Sequence, residues 1–272
     1  MRAATFVLST GRCGTQWLAE TIADAAGDRA RVEHEPLHND YAPRRMLGAN
    51  DPAALEPRQA RKVIAHAEAI ERELAARDYL ETGHPCWSSV PWLARRLAGR
   101  VRVVHLVRHP VPTACSWLSH GLFVPPMLPH LPAKEFIAPS DAGVSFPEYR
   151  EAWPALSPFE KCLVYWAEVN AFGLRLERAG ELPWLRVRYE DLFDPRRDAL
   201  ARVVKFLGLP DEAVARIDRG AQVDQHRFAL GQWPEPERIA RHPRIVAVAE
   251  ELGYRAGEFA ADQLAARFLL RS

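Results

Sequence analysis

The amino-acid sequence is poor in cysteine and carries almost no excess of either charge. Its four cysteines form no Cys-x-x-Cys pair and show no zinc-site spacing with histidine, so we expect free thiols. The 36 Lys and Arg residues are balanced by 35 Asp and Glu residues, which gives a net charge of +1. Because a protein that binds nucleic acid usually has a strongly basic surface, this balance argues against nucleic acid as a partner.

The sequence also lacks a long apolar run. The run near its start, residues 3–8, is too short for a signal-peptide core or a membrane-spanning helix, and no later run is long enough. We therefore expect a soluble, cytoplasmic protein without a membrane span. A chain of 272 residues can bury one substantial core, and its composition does not require two. The expectation is a single domain over residues 1–272.

Predicted strands and helices alternate along the chain. Short apolar runs that end at Gly, Pro or polar residues indicate buried strands, and apolar residues three and four apart indicate helices. This alternation predicts an α/β fold with a mostly parallel sheet. Strands are predicted at 3–8, 31–34, 79–82, 101–107 and 184–187, and helices at 15–27, 57–77, 90–97, 111–120, 157–179 and 194–207. The predicted apolar stripe of the helix at 57–77 is Val63, Ile64, Ala67, Ile70 and Leu74.

The first predicted strand runs into a turn that contains Gly11 and Gly14 and then into a helix. Such a turn exposes backbone N–H groups at the positive end of a helix dipole, where phosphate and sulfate bind. Arg12 adds a forked cation that suits a tetrahedral oxyanion, and Thr15 adds a hydroxyl. We predict that residues 9–16 form an anion cradle. The plainer interpretation is a tight turn that only caps the helix.

The spacing of this turn differs from two common nucleotide motifs. A Walker P-loop has four residues between its glycines and then a lysine. Here two residues separate Gly11 from Gly14, and Thr15 follows. The turn does not have the Gly-x-Gly-x-x-Gly pattern either. The missing lysine argues against a nucleoside triphosphate.

A second candidate anion site follows the most β-branched strand, at 101–107. Arg108 comes directly after this strand, at the carboxyl end where open α/β sheets bind ligands. Ser116 lies eight residues further on, two turns into the next predicted helix. Taken alone, this segment equally fits a surface arginine before a helix that begins at a proline.

The two segments together resemble the sulfotransferase family. Residues 9–15 resemble its 5′-phosphosulfate loop, in the Arg-x-Gly-Thr form of the tyrosylprotein, carbohydrate and bacterial branches. Residues 104–110 with Ser116 resemble its 3′-phosphate site, and residues 187–192 resemble a segment whose tyrosine, here Tyr189, contacts the cofactor. The resemblance extends from about Phe6 to Leu209. The Arg-Lys-Gly loop of many relatives is not evident, and the polar residues 225–233 are a candidate replacement.

The resemblance implies a fold, a cofactor and a set of binding residues. The fold is a P-loop-like three-layer sandwich with a central, mostly parallel sheet flanked by helices. The donor is 3′-phosphoadenosine 5′-phosphosulfate (PAPS), the product nucleotide is PAP, and no metal is expected. The acceptor is a hydroxyl-bearing small molecule, carbohydrate or other compound. The implied cofactor-binding residues are Thr10, Gly11, Arg12, Cys13, Gly14, Thr15, Gln16, Arg108, Ser116 and Tyr189.

Catalytic roles are predicted for Arg12 and Glu35. Arg12 and the loop amides are expected to stabilise charge that develops on the 5′-phosphate. Glu35 ends the second strand at the cradle's edge of the sheet, and its position resembles the general base of the tyrosylprotein and carbohydrate branches. His84, after the third strand, is the second candidate base because cytosolic relatives use a histidine. His34 and His38 are candidates for orienting the acceptor.

The proline-rich residues 121–158 predict a long loop or lid. Its aromatic and methionine side chains are expected to shape the acceptor site and fit either a sugar or an aromatic hydroxyl. These side chains are Phe123, Met127, Phe136 and Trp153.

Two other functions remain open at this point. A P-loop kinase of a small hydroxyl compound would share the fold, but it predicts a loop lysine and a downstream Mg²⁺ carboxylate that are not evident. A non-catalytic nucleotide-binding module is the other alternative, and the presence of Arg12 and Glu35 argues against it.

Overall fold

The computed structural model describes residues 2–127, 136–217, 235–259 and Leu264. The chain forms two compact units, Met1–Val107 with Gly173–Gln222 and Arg108–Phe172 with Val223–Ser272. The strands are β1 (Ala4–Leu8), β2 (Ala30–His34), β3 (Asp78–Thr82), β4 (Val101–Val107) and β5 (Trp184–Arg188). The helices are α1 (Thr15–Ala26), α2 (Pro43–Ala49), α3 (Pro57–Ala76), α4 (Val90–Arg96), α5 (Pro110–Ser119), α6 (Tyr149–Ala152), α7 (Pro158–Ala179), α8 (Tyr189–Leu192), α9 (Asp198–Phe206), α10 (Ala213–Arg216) and α11 (Pro243–Glu251).

The first unit contains a five-stranded sheet in the order β2-β3-β1-β4-β5, and all four strand pairs are parallel. In this register Leu8 of β1 lies opposite His105 of β4, and His34 of β2 lies opposite Thr82 of β3. The carboxyl ends of the strands therefore share one edge of the sheet, where ligands of open α/β folds bind.

Helices cover both faces of this sheet. On one face Val7 and Val104 belong to a buried cluster with Ile22 of α1 and Val203 of α9. On the other face, the ring of Tyr79 lies 6.1 Å from that of His66 in α3, measured between centroids. Also on that face, a Cβ added to Gly173 of α7 would lie 2.6 Å from His105 Cε1. The predicted P-loop-like three-layer α/β sandwich is thus confirmed.

A buried carboxylate ties β3 to its neighbours in this unit. Glu81, 1% exposed, accepts a hydrogen bond from Tyr41 Oη at 2.6 Å and one from Tyr79 Oη at 3.1 Å. A third partner of Glu81 is His66, whose Nε2 lies 2.8 Å from Glu81 Oε2. Burial, followed by the Glu81 charge, raises the pKa of both tyrosines, so each hydroxyl keeps its proton and remains a donor.

The second unit is held by a polar group at the start of α7 and by packed aromatic rings. Ser157 N donates to Glu160 Oε2 at 2.9 Å, and Glu160 N donates to Ser157 Oγ at 3.3 Å, which makes a capping box. His242 Nε2, next to α11, lies 3.3 Å from Glu160 Oε1. The rings of Trp117, Phe136 and Tyr165 stand edge to face, with centroids 4.9 to 6.1 Å apart.

Three sequence predictions need correction. Ile64 is 41% exposed and does not belong to the buried stripe of α3. The helix predicted at 194–207 begins only at Asp198, because Asp194 Oδ1 accepts from Arg196 N in a turn and Arg197 has φ 61°. The predicted lid contains the short helix α6 and a 3₁₀ turn at Trp153–Ala155.

The other predicted strands and helices are present, with ends that shift by one or two residues. Part of the lid, residues 128–135, and the polar residues 225–233 lie outside the described residues. None of the helices in the described part of the chain is long and apolar enough to cross a membrane. The single-domain prediction stays a prediction.

Candidate active site

The loop between β1 and α1 turns through three residues with positive φ. These are Gly11 at 75°, Arg12 at 59° and Gly14 at 78°. Successive backbone N–H groups in a turn can line a concavity that binds anions. Gly14 is the N-cap of α1, and no side chain caps the helix there. The backbone of this loop fits the predicted anion cradle, which stays a prediction, and Arg12 is half-buried in the loop.

Short polar side chains hold the cradle together from within. Ser9 Oγ accepts from Gly11 N at 3.1 Å, and Thr10 Oγ1 donates to Gly11 O at 3.0 Å. Cys13 is fully buried, and its Sγ lies 3.1 Å from Gly11 O. The side chains of Ser9, Thr10 and Cys13 thus stabilise the loop, whereas Gln16 is exposed.

Tyr189 lies directly against the cradle. A Cβ added to Gly14 would lie 2.7 Å from Tyr189 Cε2, so the ring occupies the space that any side chain at position 14 would need. The Tyr189 ring also contacts Phe193 at 5.0 Å between centroids, and Phe193 contacts Trp17 at 4.7 Å. The segment that follows β5 therefore supports the loop that follows β1.

The two candidate bases, Glu35 and His84, are hydrogen-bonded to each other. Glu35 Oε1 lies 3.0 Å from His84 Nδ1 and accepts a longer hydrogen bond, 3.4 Å, from His84 N. The His84 side chain is 5% exposed and that of Glu35 17%. A carboxylate that accepts from Nδ1–H fixes the histidine tautomer and leaves Nε2 as an acceptor. The pair can therefore accept one proton from a substrate hydroxyl.

Two further histidines lie around this pair. His38 Nδ1 is 3.8 Å from Glu35 Oε2, and the His38 side chain is 75% exposed. His34 Nδ1 lies 2.9 Å from Thr82 Oγ1. Burial lowers the pKa of His34, although the nearby Glu35 carboxylate raises it. His34 is therefore neutral at pH 7 and can act as a hydrogen-bond donor or acceptor.

Arg108 and Ser116 belong to the second unit. Arg108 directly follows β4 in the chain, is 6% exposed, and its carbonyl accepts from Trp166 Nε1 at 3.0 Å. Ser116 lies on α5 and is 4% exposed. Burial raises the pKa of Cys115 to about 12 against the opposing effect of the Arg108 charge, so the Arg108 guanidinium acts electrostatically on α5.

His109 fixes the start of α5 by a contact that the sequence analysis missed. Its Nδ1 accepts from Val111 N at 3.2 Å, and its carbonyl accepts from Thr113 Oγ1 at 2.8 Å. A residue with a side-chain acceptor before a proline at the first helical position is the available sequence signal. This cap sets the direction of α5 immediately after Arg108.

The structure thus brings together the cradle, Tyr189 and the Glu35–His84 pair within the first unit, at the carboxyl edge of the sheet. All four cysteines are free, as predicted, and all four are buried. Within the described ranges, no three or more His, Cys, Asp and Glu side chains are grouped so that they could hold a metal ion.

Known proteins similar to this chain are described as sulfotransferases. A family model described as "Sulfotransferase domain" matches residues 2–228. No curated protein matches the sequence. A sulfotransferase structure from Alicyclobacillus acidocaldarius is 14% identical with a TM-score of 0.50, over 96% of this chain and 98% of that chain. At this identity the likeness shows the fold alone.

Two other solved structures have slightly lower scores. The sulfotransferase domain from the curacin biosynthetic pathway is 15% identical with a TM-score of 0.49, over 100% of this chain and 99% of that chain. The mouse sulfotransferase SULT7A1 complexed with PAP is 16% identical with a TM-score of 0.44, over 92% of this chain and 82% of that chain.

Proposed function

The chain belongs to the sulfotransferase domain family, and on this premise we propose that it transfers a sulfuryl group from PAPS to an acceptor hydroxyl. The observation that carries the proposal is the hydrogen-bonded Glu35–His84 pair, 3.0 Å between Oε1 and Nδ1, at the sheet edge that also carries the cradle. A module that only binds a nucleotide has no need of a shielded proton acceptor there.

The proposed reaction is an in-line displacement. The bond between sulfur and the 5′-phosphate oxygen breaks, a bond between sulfur and the acceptor oxygen forms, and PAP leaves. Glu35, paired with His84, is proposed to take the proton of the acceptor hydroxyl. As in phosphoryl transfer, positioning and electrostatic stabilisation are expected to supply most of the rate acceleration. A sulfuryl group carries less charge than a phosphoryl group, so the chemistry does not require a metal clamp.

The cradle is proposed to bind the 5′-phosphosulfate. The left-handed backbone at Gly11, Arg12 and Gly14 and the open N-terminus of α1 fit a tetrahedral anion. Arg12 is proposed to stabilise the negative charge that develops on the leaving phosphate. Thr10 and Cys13 would contribute through their backbone, because their side chains are used inside the loop.

The remaining binding residues are proposed from their match to the family's motifs. Arg108 and Ser116 are proposed to bind the 3′-phosphate, and Arg108 supplies the forked cation that suits it. Tyr189 is proposed to contact the nucleotide from its position against Gly14, and Thr15 and Gln16 complete the proposed binding set. The acceptor is a small molecule, a carbohydrate or another hydroxyl compound, and the proposed location is the cytoplasm.

Thermal shift separates this proposal from a kinase. We expect PAP to raise the melting temperature more than ATP with Mg²⁺ or GTP does, since ligands that bind only the folded state stabilise it. Incubation with ³⁵S-labelled PAPS and a panel of sugars, phenols and alcohols should then give a labelled product. Stabilisation by ATP with Mg²⁺ but not by PAP would overturn the proposal.

A further inference from the structure

The catalytic carboxylate is carried on an unfavourable backbone conformation. Glu35 has φ 47°, in the left-handed region that side-chain-bearing residues rarely adopt, and Pro36 follows it. A residue before proline normally adopts an extended conformation, so two local preferences are broken at one position. Such strain is unfavourable and persists only where neighbouring contacts hold it.

The contacts that hold Glu35 come from the end of β3. Glu35 N donates to Thr82 O at 2.9 Å, which anchors its backbone. Its carboxylate reaches past Gly83 to His84, where Oε1 meets Nδ1 at 3.0 Å. The residue between the backbone anchor and the imidazole is therefore Gly83.

Gly83 leaves no room for a side chain. A Cβ at this position would lie 2.3 Å from Glu35 Cγ, 3.2 Å from Glu35 N and 3.4 Å from Glu35 Cα. The first distance is far below any real carbon–carbon contact. Gly83 also has φ 130°, a value that suits glycine. Glu35 therefore occupies the space that a side chain at position 83 would fill.

We propose that Gly83 is a positioning residue for the Glu35–His84 pair: the missing side chain at position 83 lets Glu35 cross the end of β3 and reach His84 Nδ1. The inference rests on the proposed function, because it concerns the geometry of the proposed base. It adds one requirement to the geometry of the pair: residue 83 must lack a Cβ.

The test is Gly83→Ala, with Gly99→Ala as its matched control. Gly99 also has a positive φ, 75°, and a Cβ there would meet nothing within 4 Å. In Gly83→Ala the methyl group displaces the Glu35 side chain from His84. Since a misplacement of about 1 Å can cost about 100-fold in rate, we expect kcat to fall roughly 100-fold. The KM for PAPS and the Kd for PAP should stay within about twofold of wild type. Gly99→Ala should keep the wild-type kcat, and a wild-type kcat in Gly83→Ala would overturn the inference.

A double-variant cycle separates positioning from a general structural effect. If Gly83 acts through Glu35, then Gly83→Ala should cost nothing further once Glu35→Gln has removed the base, because residues that act as a unit are not additive. Equal fold losses of kcat in the wild-type and Glu35→Gln backgrounds would contradict the proposal.

If Gly83→Ala does not fold, stability provides the test. Glu35→Ala removes Cγ, the atom that a Cβ at position 83 would meet at 2.3 Å. The double variant Glu35→Ala/Gly83→Ala should therefore fold, and its melting temperature should lie below that of Glu35→Ala only by the cost of placing alanine at φ 130°. If neither Gly83→Ala nor the double variant folds, the backbone of residue 83 alone explains the loss of folding, and the inference is overturned. Absence of transfer from PAPS by the wild-type protein would instead count against the proposed function, and the stability comparison would still test Gly83.

Discussion

Glu35 Oε1 and His84 Nδ1 are 3.0 Å apart, although 49 residues separate them in the chain. β2 and β3 are parallel neighbours with His34 opposite Thr82, so the residues that follow the two strands emerge side by side. We therefore propose that the glutamate and the histidine act as one proton-accepting pair and not as two alternative bases.

Because Glu35 and His84 are hydrogen-bonded to each other, we predict that both side chains are needed for sulfuryl transfer. Glu35→Gln and His84→Gln should each lower kcat by about 10²–10⁴-fold, the usual contribution of a general base. PAP binding should be retained, since the cradle does not include either side chain. Initial rates at saturating PAPS and calorimetric titration with PAP measure the two effects.

The matched control for this pair is Glu73→Gln. Glu73 lies on α3, where it forms a half-buried ion pair with Arg77 outside the candidate site, so its loss should leave kcat unchanged. Wild-type kcat in His84→Gln would show that His84 only packs against Glu35. Wild-type kcat in Glu35→Gln would instead leave His84 as the base.

The contact between Gly14 and Tyr189 predicts that Gly14→Ala is costly. The substitution places a Cβ 2.7 Å from Tyr189 Cε2 on a residue with φ 78°. The left-handed backbone alone costs about 1–2 kcal/mol for a residue with a side chain, and displacing the ring adds to it. We expect a lower free energy of unfolding and at least tenfold weaker PAP binding, measured by urea unfolding and calorimetry.

Gly208→Ala is the control for this substitution. Gly208 has a similar φ, 72°, but a Cβ there would have nothing within 4 Å. It should therefore show the backbone cost alone and unchanged PAP binding. Equal losses of stability and equal PAP affinity in the two variants would refute a supporting role for Tyr189.

The strands and the turn between β1 and α1 could be predicted because their signals are local. The apolar run at 3–8 is followed by Ser-Thr-Gly, and the change of period after Gly14 marks a helix, so a short stretch of sequence carries the whole pattern. The α/β class followed from the alternation of elements. By contrast, Ile64 fits the helical period of α3 and is nevertheless 41% exposed, because period alone does not set the width of a buried face.

The site could be predicted only in part because its contacts are not local. The strand order β2-β3-β1 makes neighbours of Glu35 and His84, and nothing in the residues near either one specifies that order. The role of Gly83 depends on a side chain from another strand. The start of α9 was missed because Asp194 has local hydrogen-bonding partners that compete with a helix start.

We predict that removal of the Arg108 side chain selectively weakens recognition of the 3′-phosphate. Removing a charged hydrogen-bonding partner costs about 1.5–3 kcal/mol, which corresponds to roughly 10–100-fold in affinity. Arg108→Ala should therefore weaken PAP binding by that factor and leave AMP binding, which involves no 3′-phosphate, nearly unchanged. Ser116→Ala should show a smaller effect of the same kind. Arg244→Ala, whose side chain is 64% exposed, is the control. Equal loss of PAP and AMP affinity in Arg108→Ala would contradict the assignment.

We predict that His34 contributes to the loss of folding stability at acid pH. Burial lowers its folded-state pKa from the ordinary value of 6.5, and this outweighs the opposing effect of the Glu35 carboxylate. The unfolded chain therefore binds a proton at His34 more readily than the folded protein does. The free energy of unfolding should fall as the pH drops below about 6.5, with a slope from this residue of at most about 1.4 kcal/mol per pH unit, and level off below the folded pKa.

The measurement is urea unfolding of wild type and His34→Gln at pH 9.0, 7.5 and 5.5. Glutamine can still bond to Thr82 Oγ1, which lies 2.9 Å from His34 Nδ1, but does not titrate. Above pH 7.5 both folded and unfolded histidine are neutral, so the two curves should run parallel there. Between pH 7.5 and 5.5 the wild type should lose more stability than the variant. Equal losses over that interval would mean that His34 binds its proton equally well in the folded and unfolded states, against the effect of its burial.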